Sequence, residues 1–219
     1  MPDLFAEARN RMVDSQIRPN RVNDPRIIAA MRRLKRERFL PPGRDVLAYA
    51  DQDVPLGNGR VLLEPMAIAR LVQLAAPMQG EHALVVAAGT GYGAALLAAC
   101  GPRVTALEED PALLAIARQA LTELAPDVSV VSGSLSAGWP GGAPYDVILL
   151  EGAVREIPPA LARQLRNNGG RLVTVLCADG RTSQAVLAES TGVGLRAQPM
   201  FDCATALLPS LIPAPAFAF

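Results

Sequence analysis

A glycine turn and a distant carboxylate carry the chemistry of this chain. The apolar run Ala83–Ala87 is followed by Gly89, Gly91 and Gly93, then by an apolar stretch from Ala94 to Ala99. A second apolar run, Val104–Leu107, ends on Glu108. The order is strand, turn, helix, strand, acid. Glycines let a ligand approach the backbone, and an acid at the end of the next strand accepts two ribose hydroxyls. The pattern predicts a pocket for an adenosine-containing cofactor, with Glu109 as the alternative acid if the register slips by one.

Gly89, Gly91 and Ala94 also satisfy the G-x-G-x-x-A spacing of dinucleotide sites, a weak signal alone. Hydride transfer needs a proton-handling group. The chain has no Tyr-x-x-x-Lys pair, because Lys35 is its only lysine, and His82 precedes the first core strand. The ends of the strands offer only glycines, small residues and carboxylates. Methyl transfer suits that inventory. A sulfonium methyl is already electrophilic, and a carboxylate acceptor is already ionised at neutral pH. The protein then has only to hold the two in line.

These residues need a parallel sheet to position them. Apolar runs predict strands at 83–87, 103–107, 128–132, 145–150 and 171–176, with helices at 91–99, 111–124 and 158–166. Asp110–Pro111 starts the second helix and Asn168–Gly169–Gly170 stops the third. The alternation predicts an α/β architecture. Ahead of it, helices are expected at 7–18, from Asp24–Pro25, and over Met66–Ala76, separated by the breaker FLPPG at 39–43. Ser183–Leu187 and Ala204–Leu208 are expected as late strands and PAPAFAF as an extended tail.

Composition narrows the function classes. The 219 residues are 50% apolar with a formal net charge of zero, so nothing draws the chain as a whole to nucleic acid or membrane. No apolar stretch is long enough to span a bilayer, and the charged N-terminus has no signal core, so a cytoplasmic location is expected. Residues 1–44 carry eleven basic and five acidic residues, with RRLKRER at 32–38 read as a solvated helix face. Three isolated cysteines and one histidine make no metal pattern. Zero net charge leaves monomer and dimer both open.

At this point the chain resembles the protein-L-isoaspartate O-methyltransferase family, as a divergent member. The resemblance runs through MVDSQIRPNRVNDPRIIAAMRRLKRERFLPP, YADQDVPLGNGR, AAGTGYGAALLA and GWPGGAPYDVILLEGAVREIPPALARQLRNNGGRLV. It implies a Rossmann-like seven-stranded methyltransferase sheet with an N-terminal helical extension. One domain over 1–219 is expected, with 1–60 as extension and substrate-side loop and 61–219 as core. It also implies S-adenosylmethionine as cofactor and isoaspartyl-containing proteins or peptides as partners, with methylation starting their repair. Carried over by residue, Ala87, Gly89, Gly91, Glu108, Gly133 and Ser134 line the cofactor. Arg60, Leu62 and Glu64 fall in the substrate loop, and Leu63 stands at the catalytic position. Asp146 matches a family acid that can be purely structural.

Three departures accompany the resemblance. Leu63 replaces the family's signature serine and Glu64 a neutral glutamine. Val85 and Ala87 replace an acid and the first turn glycine. Ser134 stands where an aspartate would take the adenine amine. They leave a methyltransferase of another acceptor, or a cofactor-binding regulatory protein without isoaspartyl activity, as alternatives.

Overall fold

The computed structural model describes residues 3–192 and 194–212. Helix α1 (Leu4–Met12) is capped by Asp3, whose carboxylate accepts from the amides of Phe5 at 3.1 Å and Ala6 at 3.2 Å. It runs on into a wider π turn over Val13–Ile17, so the helix expected at 7–18 starts earlier and changes pitch. Helix α2 (Pro25–Arg33) is capped by Asp24 with proline in its first turn. A hairpin of β1 (Val54–Gly57) and β2 (Arg60–Leu62) leads into α3 (Pro65–Ala75).

The core then alternates as β3 (His82–Val86), α4 (Tyr92–Ala98), β4 (Arg103–Glu108), α5 (Pro111–Leu124), β5 (Ser129–Ser132), β6 (Val147–Val154), α6 (Pro159–Ala162) and β7 (Arg171–Leu176). It closes with β8 (Gln184–Ser190) and β9 (Leu195–Asp202). One seven-stranded sheet has the order β5-β4-β3-β6-β7-β8-β9. The first five of these are mutually parallel, while β8 runs antiparallel to both its neighbours. The core strands are apolar on both sides because both faces are covered. Val85, Val147, Leu149 and Val173 pack with the helical N-terminal half, and Leu84, Val86, Ile148 and Leu150 with Tyr145, Leu161 and Leu165.

The structure corrects two expected elements. The helix expected at 158–166 is cut to α6, because the Gln164 side chain turns inward to the carbonyls of Ala137 at 2.7 Å and Ala160 at 3.1 Å. Residues 204–208 form no strand. They touch the sheet through one bridge, Leu207 to Ala153, and the second late strand is β9. PAPAFAF lies outside the described residues.

Strand order reverses between β3 and β6, where chain crosses to opposite sides of the sheet. Ligands of open α/β sheets bind beyond the carboxyl ends of the strands at such a point. There β6 is irregular: its step from Leu149 to Ala153 lies opposite the shorter step Val173 to Val175 of β7. The displaced stretch carries Glu151 and Gly152, and Gly152 adopts φ 143° with Leu208 packed 2.7 Å from where a Cβ would stand.

Candidate functional site

The turn after β3 passes through left-handed conformations at Ala87 (φ 59°), Gly89 (φ 57°) and Gly91 (φ 96°). Gly91 is required twice over, since a Cβ there would lie 2.8 Å from Leu121 Cδ1. Ala87 is the anomaly. Its backbone follows a glycine's path although it carries a methyl group, at a cost of about 1–2 kcal/mol. The turn is pinned by the Ala88 amide to the Leu107 carbonyl at 3.0 Å and the Gly91 amide to the Ala88 carbonyl at 2.8 Å.

Glu108 ends β4, is buried, and faces this turn. The Gly89 amide donates to its Oε2 at 2.7 Å, and the amides of Glu109 and Asp110 donate to Oε1 at 2.9 and 3.0 Å. Glu109 is half-buried and reaches the site only through its amide, so Glu108 is the inward acid. Arg60 of β2 grips the same carboxylate, with Nη1 at 2.8 Å from Oε1 and Nη2 at 2.9 Å from Oε2. Nη2 also donates to the Ala87 carbonyl at 3.0 Å. Both side chains are enclosed, at 7% and 1% exposure. The hairpin is fastened further by Asn58 donating to Asp110 at 3.0 Å, while Leu56 lies 3.5 Å from a Cβ built on Gly89.

The loop leaving β2 buries Leu62 and Leu63 in the core. The Leu63 carbonyl accepts from Arg36, which also donates to the Ala48 carbonyl at 2.7 Å. Glu64 is half-buried, and its amide donates to Asp53 at 2.7 Å. Burial, then the charges of Asp53 and Asp51, push its carboxyl above the ordinary range. On the other side of Glu108, the Gly133 amide donates to its carbonyl at 3.2 Å, with Leu107 and Trp139 flanking Gly133. Ser134 is exposed and shares a 3.0 Å hydrogen bond with Ser136.

Asp146 and His82 belong to the opposite edge of the sheet. Asp146 accepts from the His82 amide at 2.9 Å and pairs with Arg166, and the His82 ring lies 4.7 Å from that of Tyr145. Asp146 is thus a structural acid.

Sequence reasoning passed over one group. Glu151, at the irregular step of β6, is buried with Oε1 lacking any hydrogen-bond partner among the described residues. Its carboxyl fills the space over Gly93: a Cβ there would stand 2.0 Å from Oε1. Burial pushes the carboxyl up to about 8; nearby Arg60 pulls it down and Glu108 pushes it up. The signal was available, because ILLE in β6 repeats the plan of TALE in β4, an apolar run followed by an acid. Thr90 Oγ1, Tyr92 Oη and Arg36 Nη1 are also buried without partners, and the Arg36 guanidinium lies 4.6 Å from the Tyr92 ring centre.

Comparison with known proteins places this geometry. Residues 7–192 match the model of the protein-L-isoaspartate(D-aspartate) O-methyltransferase family. The chain is 40% identical over 190 residues to protein-L-isoaspartate O-methyltransferase 1 of Rhodopseudomonas palustris (strain HaA2), covering 86% of this chain and 77% of that one. A solved protein-L-isoaspartate O-methyltransferase superimposes with a TM-score of 0.80 at 22% identity, over 94% of this chain and 67% of that one. A Plasmodium falciparum structure in complex with S-adenosyl-L-homocysteine gives 0.75 at 17% identity, over 92% and 98%.

Proposed function

Because this chain belongs to the protein-L-isoaspartate(D-aspartate) O-methyltransferase family, we propose that it transfers a methyl group from S-adenosylmethionine to a carboxylate of a damaged protein or peptide. The observation that carries the reading is Glu108, a buried acid at the end of β4 facing a turn of left-handed backbone. The cradle fits an adenosyl group. The left-handed turn at Ala87, Gly89 and Gly91 presents backbone, and Glu108 has the position that ribose hydroxyls require.

The backbone of Ala87, Gly89 and Gly91 would hold the cofactor's amino-acid end. Glu108 would take the ribose, and Gly133, with Ser134 beside it, the adenine. The bound group supplies a methyl made electrophilic by its sulfonium. The chain's own residues then orient it. Leu62 and Leu63 are buried and bring no polar group to the loop, and Arg60 offers the site a positive charge. No base is needed for a carboxylate acceptor, which is an anion at neutral pH.

A second reading rests on Leu63 and Ser134. Leu63 is buried with no hydroxyl to offer a substrate, and Ser134 turns to Ser136. These support a cofactor-binding protein without isoaspartyl activity, or one with another acceptor. Among the described residues no helix is long and apolar enough to cross a membrane. A cytoplasmic single-domain protein, monomer or dimer, that repairs proteins and does not engage nucleic acid or membrane completes the proposal.

Calorimetric titration with S-adenosylhomocysteine tests it, followed by labelled methyl transfer to an isoaspartyl peptide. Wild-type protein binds, and Glu108→Ala weakens binding about 100-fold by removing two charge-assisted hydrogen bonds. Binding without transfer to the peptide selects the second reading. No binding by folded protein rejects both.

A further inference from the structure

We propose that Arg60 serves two carboxylates in turn: it holds Glu108 until a ribose claims the same oxygens, and then positions the acceptor carboxylate beside Leu63. This rests on the methyltransferase reading above and names the group that binds its substrate.

The Glu108 carboxylate is saturated. Glu108 accepts five hydrogen bonds: three from the amides of Gly89, Glu109 and Asp110, and two from Arg60. An ionised carboxylate offers about four lone-pair directions. The amides are fixed by the turn and by the start of α5. Arg60 is the only side-chain donor among them, and so the one that can leave. Ribose hydroxyls and Arg60 therefore compete for one carboxylate.

Charge acts in the same direction. An arginine enclosed at 7% exposure, once parted from its anion, needs another. Glu151 lies within its field with a bare oxygen, but burial holds that carboxyl up to about 8, so at neutral pH it keeps its proton and offers little negative charge. Asp110 also lies within its field but is already held by Asn58 and by the amides of Ala112 and Leu113, so an incoming acceptor carboxylate is the free anion. Leu63 follows directly on β2, the strand that carries Arg60, so the guanidinium and the loop where the serine is missing belong to one short segment of chain. A planar bidentate donor suits a carboxylate better than a hydroxyl does.

The arrangement makes binding ordered and coupled: cofactor first, carboxylate second. The test is calorimetry of wild type, Arg60→Gln and Arg60→Lys with S-adenosylhomocysteine, and with an isoaspartyl peptide in its presence and absence. For wild type, saturating S-adenosylhomocysteine should strengthen peptide binding by about 10-fold or more. Arg60→Gln should bind S-adenosylhomocysteine about 10-fold tighter, since the competing state is removed. It should also bind the peptide about 10-fold more weakly, with the coupling gone. Arg60→Lys keeps the charge without the fork and should fall between; it also serves if the glutamine variant does not fold. Equal S-adenosylhomocysteine affinity in all three, or peptide coupling that survives Arg60→Gln, overturns the proposal and leaves the cofactor reading intact. No binding by any of the three, each with a cooperative unfolding transition, rejects the cofactor reading and this proposal with it.

Discussion

The two edges of the parallel sheet treat their polar groups in opposite ways. At the edge where the strands begin, Glu81, Asp146, Arg166 and Arg171 all have settled partners. Arg171 pairs with Glu81 at 2.8 and 2.9 Å and donates to the carbonyls of Ala75 at 2.5 Å and Ala76 at 2.7 Å, while Asp146 joins β3 to Arg166. At the edge where they end, Glu108 has more donors than it can use, and Glu151, Thr90 and Tyr92 each bury an atom with none. Buried polar groups are ordinarily paired, so an edge that leaves them unpaired gives up stability for ligand chemistry.

The largest expected effect lies at the second edge. The Glu151 carboxyl is raised from 4.5 to about 8, so the folded chain holds a proton that the unfolded chain has lost between those values. Stability must therefore fall as pH rises through that window. Urea unfolding should show wild type losing about 4 kcal/mol relative to Glu151→Gln between about pH 5 and pH 9. Parallel stability curves for the two proteins would mean that Glu151 is not held neutral.

Next in size is the first edge. Arg171→Met removes a bidentate pair and strands Glu81 and two carbonyls, which should cost about 2 kcal/mol in the same unfolding experiment. Affinity for S-adenosylhomocysteine should not change; a loss there would mean that the edges are coupled. The smallest effect is Ala87→Gly. Relieving the left-handed alanine should stabilise the fold by about 1 kcal/mol, seen as a rise of a few degrees in melting temperature, with cofactor binding no weaker. A destabilised glycine variant would show that the methyl group packs well enough to offset its strain.

The sequence made the frame legible and much of the site opaque. Strands at 83–87, 103–107, 145–150 and 171–176 could be read because continuous apolar runs bounded by turn residues have few other uses in a chain this size. Asp24–Pro25 and Asp110–Pro111 marked true helix starts, since a carboxylate cap and proline in the first turn act locally. The short α6 and the missing strand at 204–208 were illegible because distant partners decide them: Gln164 reaches Ala137, and Ala153 takes a single bridge from Leu207. Arg60 was noticed as a cation near the substrate loop. Its grip on Glu108 spans 48 residues, and no local spacing announces such a pair. Glu151 had a visible signal, but the meaning of its burial depends on Gly93, which lies on another element.

That last pair constrains how this protein can change. Gly93 and Glu151 occupy one volume between them, so substitutions at the two positions must come in a set order. A larger side chain at position 93 becomes admissible only after the acid at 151 has shrunk. The acid, in turn, could have arisen only opposite a glycine. Directed evolution toward a longer residue at 93 must pass through position 151 first, and a library that randomises position 93 alone will return little but the parent.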